Sequence, residues 1–138
     1  MQKTRTLKQK IEYRMSRRTH DDVFLPREFA DLAGDDQVLR ALRTLVQEGR
    51  LIRLGYGVYA RATRSRLSGR PMVDSANGFS SAALQALTKL GVPWEPSDSV
   101  RAYNEGRSTQ IPVNPAVKVK SRFRRHLSDG RTELRLER

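Results

Sequence analysis

The sequence predicts an α+β fold, because a helix pattern and a hairpin pattern follow one another directly in residues 35–61. In the first half, apolar residues recur at three- and four-residue steps, with polar residues on the opposite side, which is typical of an amphipathic helix. The apolar stripe consists of Val38, Ala41, Leu42, Leu45 and Val46. In the second half, residues 51–54 and 58–60 have the composition of strands, and the two glycines within residues 55–57 suit a tight turn. We therefore expect one helix followed at once by a two-stranded hairpin.

A shorter helix is predicted immediately before the longer one. Pro26 suits a first helical position, because its missing N–H would be unpaired there anyway, and residues 27–32 continue the turn. Asp35 or Asp36 could cap the longer helix, and Gly49 is a natural stop at its C-terminus. Short helix, turn, longer helix and hairpin is the order of a winged helix-turn-helix, in which the longer helix is the recognition helix.

The rest of the chain is predicted to add helices and strands around this unit. Residues 4–18 have the pattern of a basic helix, and residues 23–25 that of a short strand that could pair with the hairpin. Beyond it, we predict a helix over residues 80–90 that ends at Gly91 and a β-hairpin across residues 128–130. Weaker patterns indicate a helix over 98–106 and strands over 111–113 and 117–120.

The expected organisation is three segments. Residues 1–62 form a winged helix DNA-binding domain, residues 63–74 a basic linker, and residues 75–138 a small C-terminal α+β domain. The fold class is thus an N-terminal winged helix-turn-helix with a small C-terminal α/β extension that ends in a β-hairpin.

The charge points to a polyanionic partner. The chain carries 27 basic and 15 acidic residues, a net charge of +12, and a surface so positive favours nucleic acid. The absence of cysteine excludes disulfides and thiolate chemistry, and with no apolar run long enough to span a membrane we expect a cytoplasmic protein. The two histidines have no metal-ligand spacing, so no enzyme activity, cofactor or metal site is predicted.

The predicted contacts to double-stranded DNA come from the recognition helix, the hairpin and the N-terminal helix. Arg40 and Arg43 could bind guanine edges in bidentate fashion, and Gln37 or Gln47 could bind adenine. The hairpin and the N-terminal helix would contact the backbone. The full predicted set is Lys8, Arg17, Arg18, Gln37, Arg40, Arg43, Thr44, Gln47, Arg53, Tyr56 and Arg61. The alternative for the charged and amide residues is an ordinary solvated side chain, and for Tyr56 it is hydrophobic packing. Hydrophobic packing is also what we expect of Tyr59, since it alternates with Val58 into the sheet.

Residues 22–61, DVFLPREFADLAGDDQVLRALRTLVQEGRLIRLGYGVYAR, resemble the N-terminal winged helix of AbiEi-type antitoxins. Those proteins share an "AL..L...G.I.RL..GVY" pattern. The matching residues are Ala41, Leu42, Leu45, Gly49, Ile52, Arg53, Leu54, Gly57, Val58 and Tyr59. Residues 108–112, STQIP, resemble a segment of a compact, uncharacterised prokaryotic branch of that family. Many relatives carry an arginine at the hairpin turn, where this chain has Tyr56.

The resemblance implies a DNA-binding antitoxin that represses its own type IV toxin–antitoxin operon and pairs with a nucleotidyltransferase-like toxin. A homodimer on an inverted repeat is one assembly that would suit such a repressor. Two other interpretations of the basic surface remain open. One is an RNA- or ribosome-associated module, and the other is a toxin-binding protein-interaction domain without operator specificity.

Overall fold

The computed structural model describes residues 5–76, 78–97, 106, 116–119 and 122–137. In these residues the chain is a mixed α+β structure with two sheets, as the predicted fold class requires. Its elements are α1 Leu7–Arg17, β1 Val23–Phe24, a 3-10 helix Pro26–Phe29, α2 Asp35–Gln47, β2 Leu51–Gly55, β3 Val58–Arg64, β4 Pro71–Val73, α3 Phe79–Lys89, β5 Trp94–Pro96, β6 Ala116–Val119 and β7 Arg135–Glu137.

Local capping fixes the ends of the helices near the hairpin. Thr6 accepts a hydrogen bond from the backbone N–H of Gln9, whose side chain accepts one from Thr6 in return, and this capping box starts α1. Gly49 ends the long helix as predicted. Its φ of 76° lets its N–H donate to the carbonyl of Val46 while Arg50 donates to Leu45.

The first sheet has the order β1-β3-β2, and β4 also pairs with β3. Val23 lies opposite Ala60, which confirms that residues 23–25 supply a strand to the hairpin. Residues 63–74, predicted as a linker, instead contain the end of β3 and all of β4, with Thr63 opposite Met72. β4 can pair there because β1 pairs only with residues 59 and 60 of β3, which leaves the C-terminal end of β3 available to another strand.

Two buried clusters hold the molecule together. One lies between α1, the 3-10 helix, α2 and the sheet, and includes Ile11, Phe29 and Leu42. The other joins residues of the sheet, such as Val58, to Leu87 of α3 and to C-terminal residues. This second cluster contains side chains from both sides of the predicted boundary at residues 63–74. The N-terminal and C-terminal segments therefore share one of the two cores.

Polar contacts strengthen the link between α3 and β1. The side-chain oxygen of Gln85 accepts hydrogen bonds from the backbone N–H groups of Asp22 at 2.6 Å and Val23 at 2.7 Å, and its amide donates to the carbonyl of His20. Buried backbone donors need such partners. Thus α3 supplies hydrogen-bond acceptors for backbone N–H groups at the start of β1, a strand of the first sheet.

The second sheet differs from the prediction. The turn at residues 128–130 forms, because the Asp129 carboxylate accepts hydrogen bonds from the N–H groups of Arg131 and Thr132. Only one antiparallel bridge, Ser128 with Glu133, follows among the described residues, and β7 pairs in parallel with β6. The predicted C-terminal hairpin is therefore confirmed at its turn and in the pairs next to it, since the N–H of Leu134 also donates to the carbonyl of Leu127 at 2.9 Å. Farther along, β7 pairs with β6 instead. The predicted helix over 98–106 and strand over 111–113 lie outside the described residues except for residue 106, as does the segment 108–112.

Candidate nucleic-acid interface

The exposed face of α2 lies opposite its buried stripe. Val38, Leu42 and Leu45 are buried, which turns the other side of the helix outward. The exposed residues on that side are Asp36, Gln37, Arg40, Arg43 and Gln47. Arg40 and Arg43 pair with no acidic side chain in the part of the chain that the structure describes, so their guanidinium groups are available to a ligand.

A groove joins this helix face to the β2–β3 hairpin, which we name the first hairpin (residues 51–64). The groove has a volume of about 670 Å³, and the helix contributes Leu39 and Arg43 to it. The first hairpin contributes Arg53 and Tyr56. Tyr56, at the hairpin turn, is 80 % exposed. Three of the predicted DNA-contact residues thus line one concave surface.

The other flank of α2 faces α1. Gln37, Arg40 and Thr44 line a depression together with Lys8 and Lys10. The Thr44 hydroxyl donates to the carbonyl of Arg40 one turn back, at 3.1 Å, and the residue is half-buried. Thr44 therefore has less freedom to contact a ligand than the residues around it.

Arg61 is fixed within the fold, which corrects its prediction as a DNA contact. Its guanidinium donates to the carbonyls of Met15 at 2.8 Å, Arg18 at 3.0 Å and Asp21 at 2.7 Å. It also lies 5.1 Å from the centre of the Phe24 ring. These carbonyls end α1 and the following turn, where a cation interacts favourably with the negative end of the helix dipole. Those of Met15 and Arg18 also accept the backbone N–H groups of Arg18 and Asp21. The side chain is half-buried and points toward the protein.

Two of the three cations predicted at the N-terminal helix, Lys8 and Arg18, are paired within the protein. Lys8 lies 2.6 Å from Glu48, just after α2, and its hydrogen bond lowers the pKa of that carboxyl group. Arg18 lies 2.6 Å from Glu28 in the 3-10 helix. Arg17 is exposed, with its guanidinium 6.0 Å from the Tyr13 ring. Of the three, Arg17 is the residue best placed to contact a phosphate.

The acidic start of α2 does not cap the helix with its side chains. The N-cap residue is Gly34, in an extended conformation, and it makes no side-chain cap hydrogen bond. Asp35 and Asp36 instead occupy the first turn, where their negative charge interacts favourably with the positive end of the helix dipole. The prediction that one of them is the N-cap is wrong by one residue.

The C-terminal segment contacts the first hairpin, and these contacts were not predicted from the sequence. The guanidinium of Arg125 donates to the carbonyl of Tyr56 and lies 5.9 Å from its ring centre. The N–H of Ser128 donates to the carbonyl of Leu54 at 2.8 Å. A Cβ on Gly55 would lie 2.6 Å from the carbonyl oxygen of His126. Glycine at this position is the local sequence signal that another backbone comes close.

No group of three acidic or histidine side chains that could hold a metal ion occurs among the described residues. Nor is any helix in the described ranges both long enough and apolar enough to cross a bilayer. Comparison with family models, with curated proteins and with solved structures gave no match. The resemblance to AbiEi-type antitoxins accordingly stays a prediction.

Proposed function

We propose that this protein is a winged helix-turn-helix repressor that binds double-stranded DNA, with α2 as its recognition helix. The observation that supports this most is the joint surface of α2 and the first hairpin. Arg43, Arg53 and Tyr56 line one groove, in which Asp35 also lies, while Arg40 is exposed on the same helix and forms no ion pair with a described acid. A helix beside a hairpin that carries unpaired cations suits the major groove and its flanking backbone.

In this proposal the side chains divide into base contacts and backbone contacts. Arg40 and Arg43 bind the O6 and N7 atoms of guanine, and Gln37 or Gln47 bonds with adenine. Arg53 and the Tyr56 hydroxyl donate to phosphate oxygens, which fix the register of the helix. The acidic first turn of α2 would be repelled by phosphates, so the helix lies side-on and reads bases with its middle and C-terminal turns.

The test is fluorescence anisotropy with DNA from upstream of the gene and with a scrambled duplex of equal length. We expect Arg40→Ala to weaken binding to the upstream DNA by roughly 5- to 150-fold, which corresponds to about 1–3 kcal/mol. It should also relax the preference at one base pair. Arg135→Ala is the matched control, since Arg135 is an exposed arginine on β7 of the second sheet.

Two outcomes count against this proposal. If the wild-type protein bound upstream and scrambled DNA with equal affinity, the proposed repressor function would be wrong. Structured RNA that displaces the upstream DNA at matched salt would instead favour the RNA-associated module.

A narrower role, as the autoregulating antitoxin of a prokaryotic toxin–antitoxin operon in the cytoplasm, is supported by the resemblance of residues 22–61. Under this proposal the adjacent reading frame encodes a nucleotidyltransferase-like toxin, and a homodimer would bind an inverted repeat. Co-expression should restore growth of cells that produce that toxin. Co-purification that survives nuclease treatment would separate direct toxin binding from tethering through DNA.

A further inference from the structure

The β3–β4 hairpin, which we name the second hairpin (residues 58–73), has at its tip an apolar residue that is fully exposed to solvent. Leu67 is 100 % exposed. Arg64, Arg66 and Arg70 lie around it, and the sequence has no acidic residue between Arg61 and Val73. This positive segment contains the paired strands of a hairpin, β3 and β4, rather than an unstructured linker.

Hydrogen bonds within the tip hold it in one conformation. Ser65 donates through its N–H to the carbonyl of Arg70 at 2.9 Å, and its own carbonyl accepts from Gly69 at 2.9 Å. The Ser65 hydroxyl accepts from the N–H groups of Leu67 and Ser68. Gly69 has a φ of 72°, which closes the turn in a conformation that glycine adopts easily. Leu67 therefore projects from a preorganised support, which lowers the entropy that is lost on insertion into a partner.

The base of the second hairpin meets the C-terminal end of α2. A Cβ on Gly49, just after α2, would lie 3.3 Å from the Arg64 guanidinium and 3.2 Å from Pro71. A second depression, lined by Val46, Arg53 and Arg70, continues from the groove described above, since Val46 and Arg53 line both. Exposed cations thus extend from the first hairpin past α2 to the second hairpin.

The positions of the two tips suit a duplex. They lie at the two ends of β3, Val58–Arg64, and a strand of that length spans roughly 20 Å. Half a turn of B-DNA is about 17 Å, and it separates a major groove from the next minor groove. With the tip of the first hairpin beside the major groove that α2 occupies, the tip of the second hairpin would reach the neighbouring minor groove.

We propose that the second hairpin is a DNA-bending arm, with Leu67 as an apolar wedge between two base pairs in the minor groove and Arg66 on the flanking phosphates. Apolar wedges of this kind unstack a base step and kink the duplex by about 20–90°. The arginines compensate the repulsion of phosphates that a bend brings together. This inference rests on the proposed function, because it needs a protein that binds duplex DNA.

The test compares wild type, Leu67→Ala and Arg66→Ala on the upstream duplex. Energy transfer between dyes at the two ends of the DNA reports the bend, and anisotropy over a range of salt concentrations reports affinity. We expect the wild type to bend the DNA by at least about 20° and Leu67→Ala to abolish that bend. Arg66→Ala should weaken binding to upstream and scrambled DNA equally and reduce the salt slope by about 0.9.

The controls use residues of similar chemistry away from the tip. Met72→Ala truncates another exposed apolar side chain, 49 % exposed on β4, and should leave the bend unchanged. Leu67 contributes to neither buried cluster, so its truncation should leave the urea midpoint unchanged.

The outcomes separate this inference from the proposed function. The bending arm is overturned if the wild-type protein binds upstream DNA selectively without bending it, or if Leu67→Ala bends the DNA as much as the wild type does. Either result leaves the proposed repressor function unaffected. A wild type without DNA affinity overturns both. The protein could instead bind vesicles of phosphatidylserine and phosphatidylcholine only when Leu67 is present, while the DNA bend persists without Leu67. That result would assign the tip of the second hairpin to a membrane surface and overturn the wedge.

Discussion

The basic residues of α1 and those of α2 differ in what faces them. On α1, Lys8, Arg14 and Arg18 each lie 2.6 Å from a carboxylate of another element. On α2, Arg40 and Arg43 have no such partner among the described residues. Two other cations of α1, Lys10 and Arg17, are exposed. The difference is therefore between the ion-paired residues Lys8, Arg14 and Arg18 and the residues Arg40 and Arg43, which are unpaired in the described part of the chain.

This difference shows that net charge alone does not locate a binding surface. The acids that pair with α1 come from the 3-10 helix, the turn after it and the end of α2, so the pairs attach α1 to the rest of the protein. Exposed ion pairs contribute little stability individually, but they neutralise the cation. In the proposed function, the DNA contacts are therefore expected mainly from α2 and the two hairpins. A cation that is held by the protein should respond to substitution differently from one that is free to bind DNA.

The largest effect is expected for the most fixed cation. Arg61→Ala removes a half-buried cation that donates to three backbone carbonyls, of which those of Met15 and Arg18 keep a backbone N–H donor. We expect a loss of about 3 kcal/mol in the free energy of unfolding. Arg53→Ala is the control, because Arg53 is exposed on the neighbouring strand, and it should change stability by less than about 0.5 kcal/mol. Urea unfolding measures both. If Arg61→Ala kept wild-type stability but bound DNA more weakly, Arg61 would be a DNA contact and not a structural residue.

An intermediate effect is expected where the C-terminal segment meets the first hairpin. Gly55→Ala places a methyl group 2.6 Å from the carbonyl oxygen of His126, and overpacking of this kind costs about 1–3 kcal/mol. The N–H of Ser128 should then exchange faster with solvent, because its hydrogen bond to Leu54 is displaced. Hydrogen exchange measures this directly.

Gly34→Ala is the control for the C-terminal contact. Gly34 has no atom within 4 Å of an added Cβ and has a negative φ, so the Ser128 amide should keep its protection. Equal protection in both variants would show that the C-terminal segment does not brace the first hairpin. Arg125 would then have no fixed place beside Tyr56.

The parts of the fold that were predicted depend on local signals. The period of residues 38–46 gave α2, and Gly49 and Gly91 were identified as helix stops; both have positive φ and accordingly follow α2 and α3. Tyr59, expected to pack inward because it alternates with Val58, is buried. Such features require only residues near one another in the chain.

The parts that were missed depend on contacts between distant residues. Arg61 and Arg53 look alike in sequence, and what separates them is the end of α1, some 40 residues away, whose carbonyls surround only Arg61. Likewise, the turn at residues 128–130 was found, but the pairing of β7 with β6 was not. A turn motif fixes the change of direction, while the choice of partner strand is decided by the second core.

The smallest expected effect concerns the paired cations of α1 and appears in acid. Hydrogen bonds from Arg14 at 2.6 and 2.7 Å lower the pKa of Asp31 from 3.8 to about 2 in the folded protein. Because the folded state favours the carboxylate, this stabilisation is complete above about pH 5 and is lost progressively as the pH falls to about 2 and below. We expect the urea midpoint to fall less steeply between pH 4 and 2 in Asp31→Asn than in the wild type, at constant ionic strength. Arg14→Gln should flatten the profile in the same way, whereas parallel profiles for all three proteins would mean that the α1 cations are as free as those of α2.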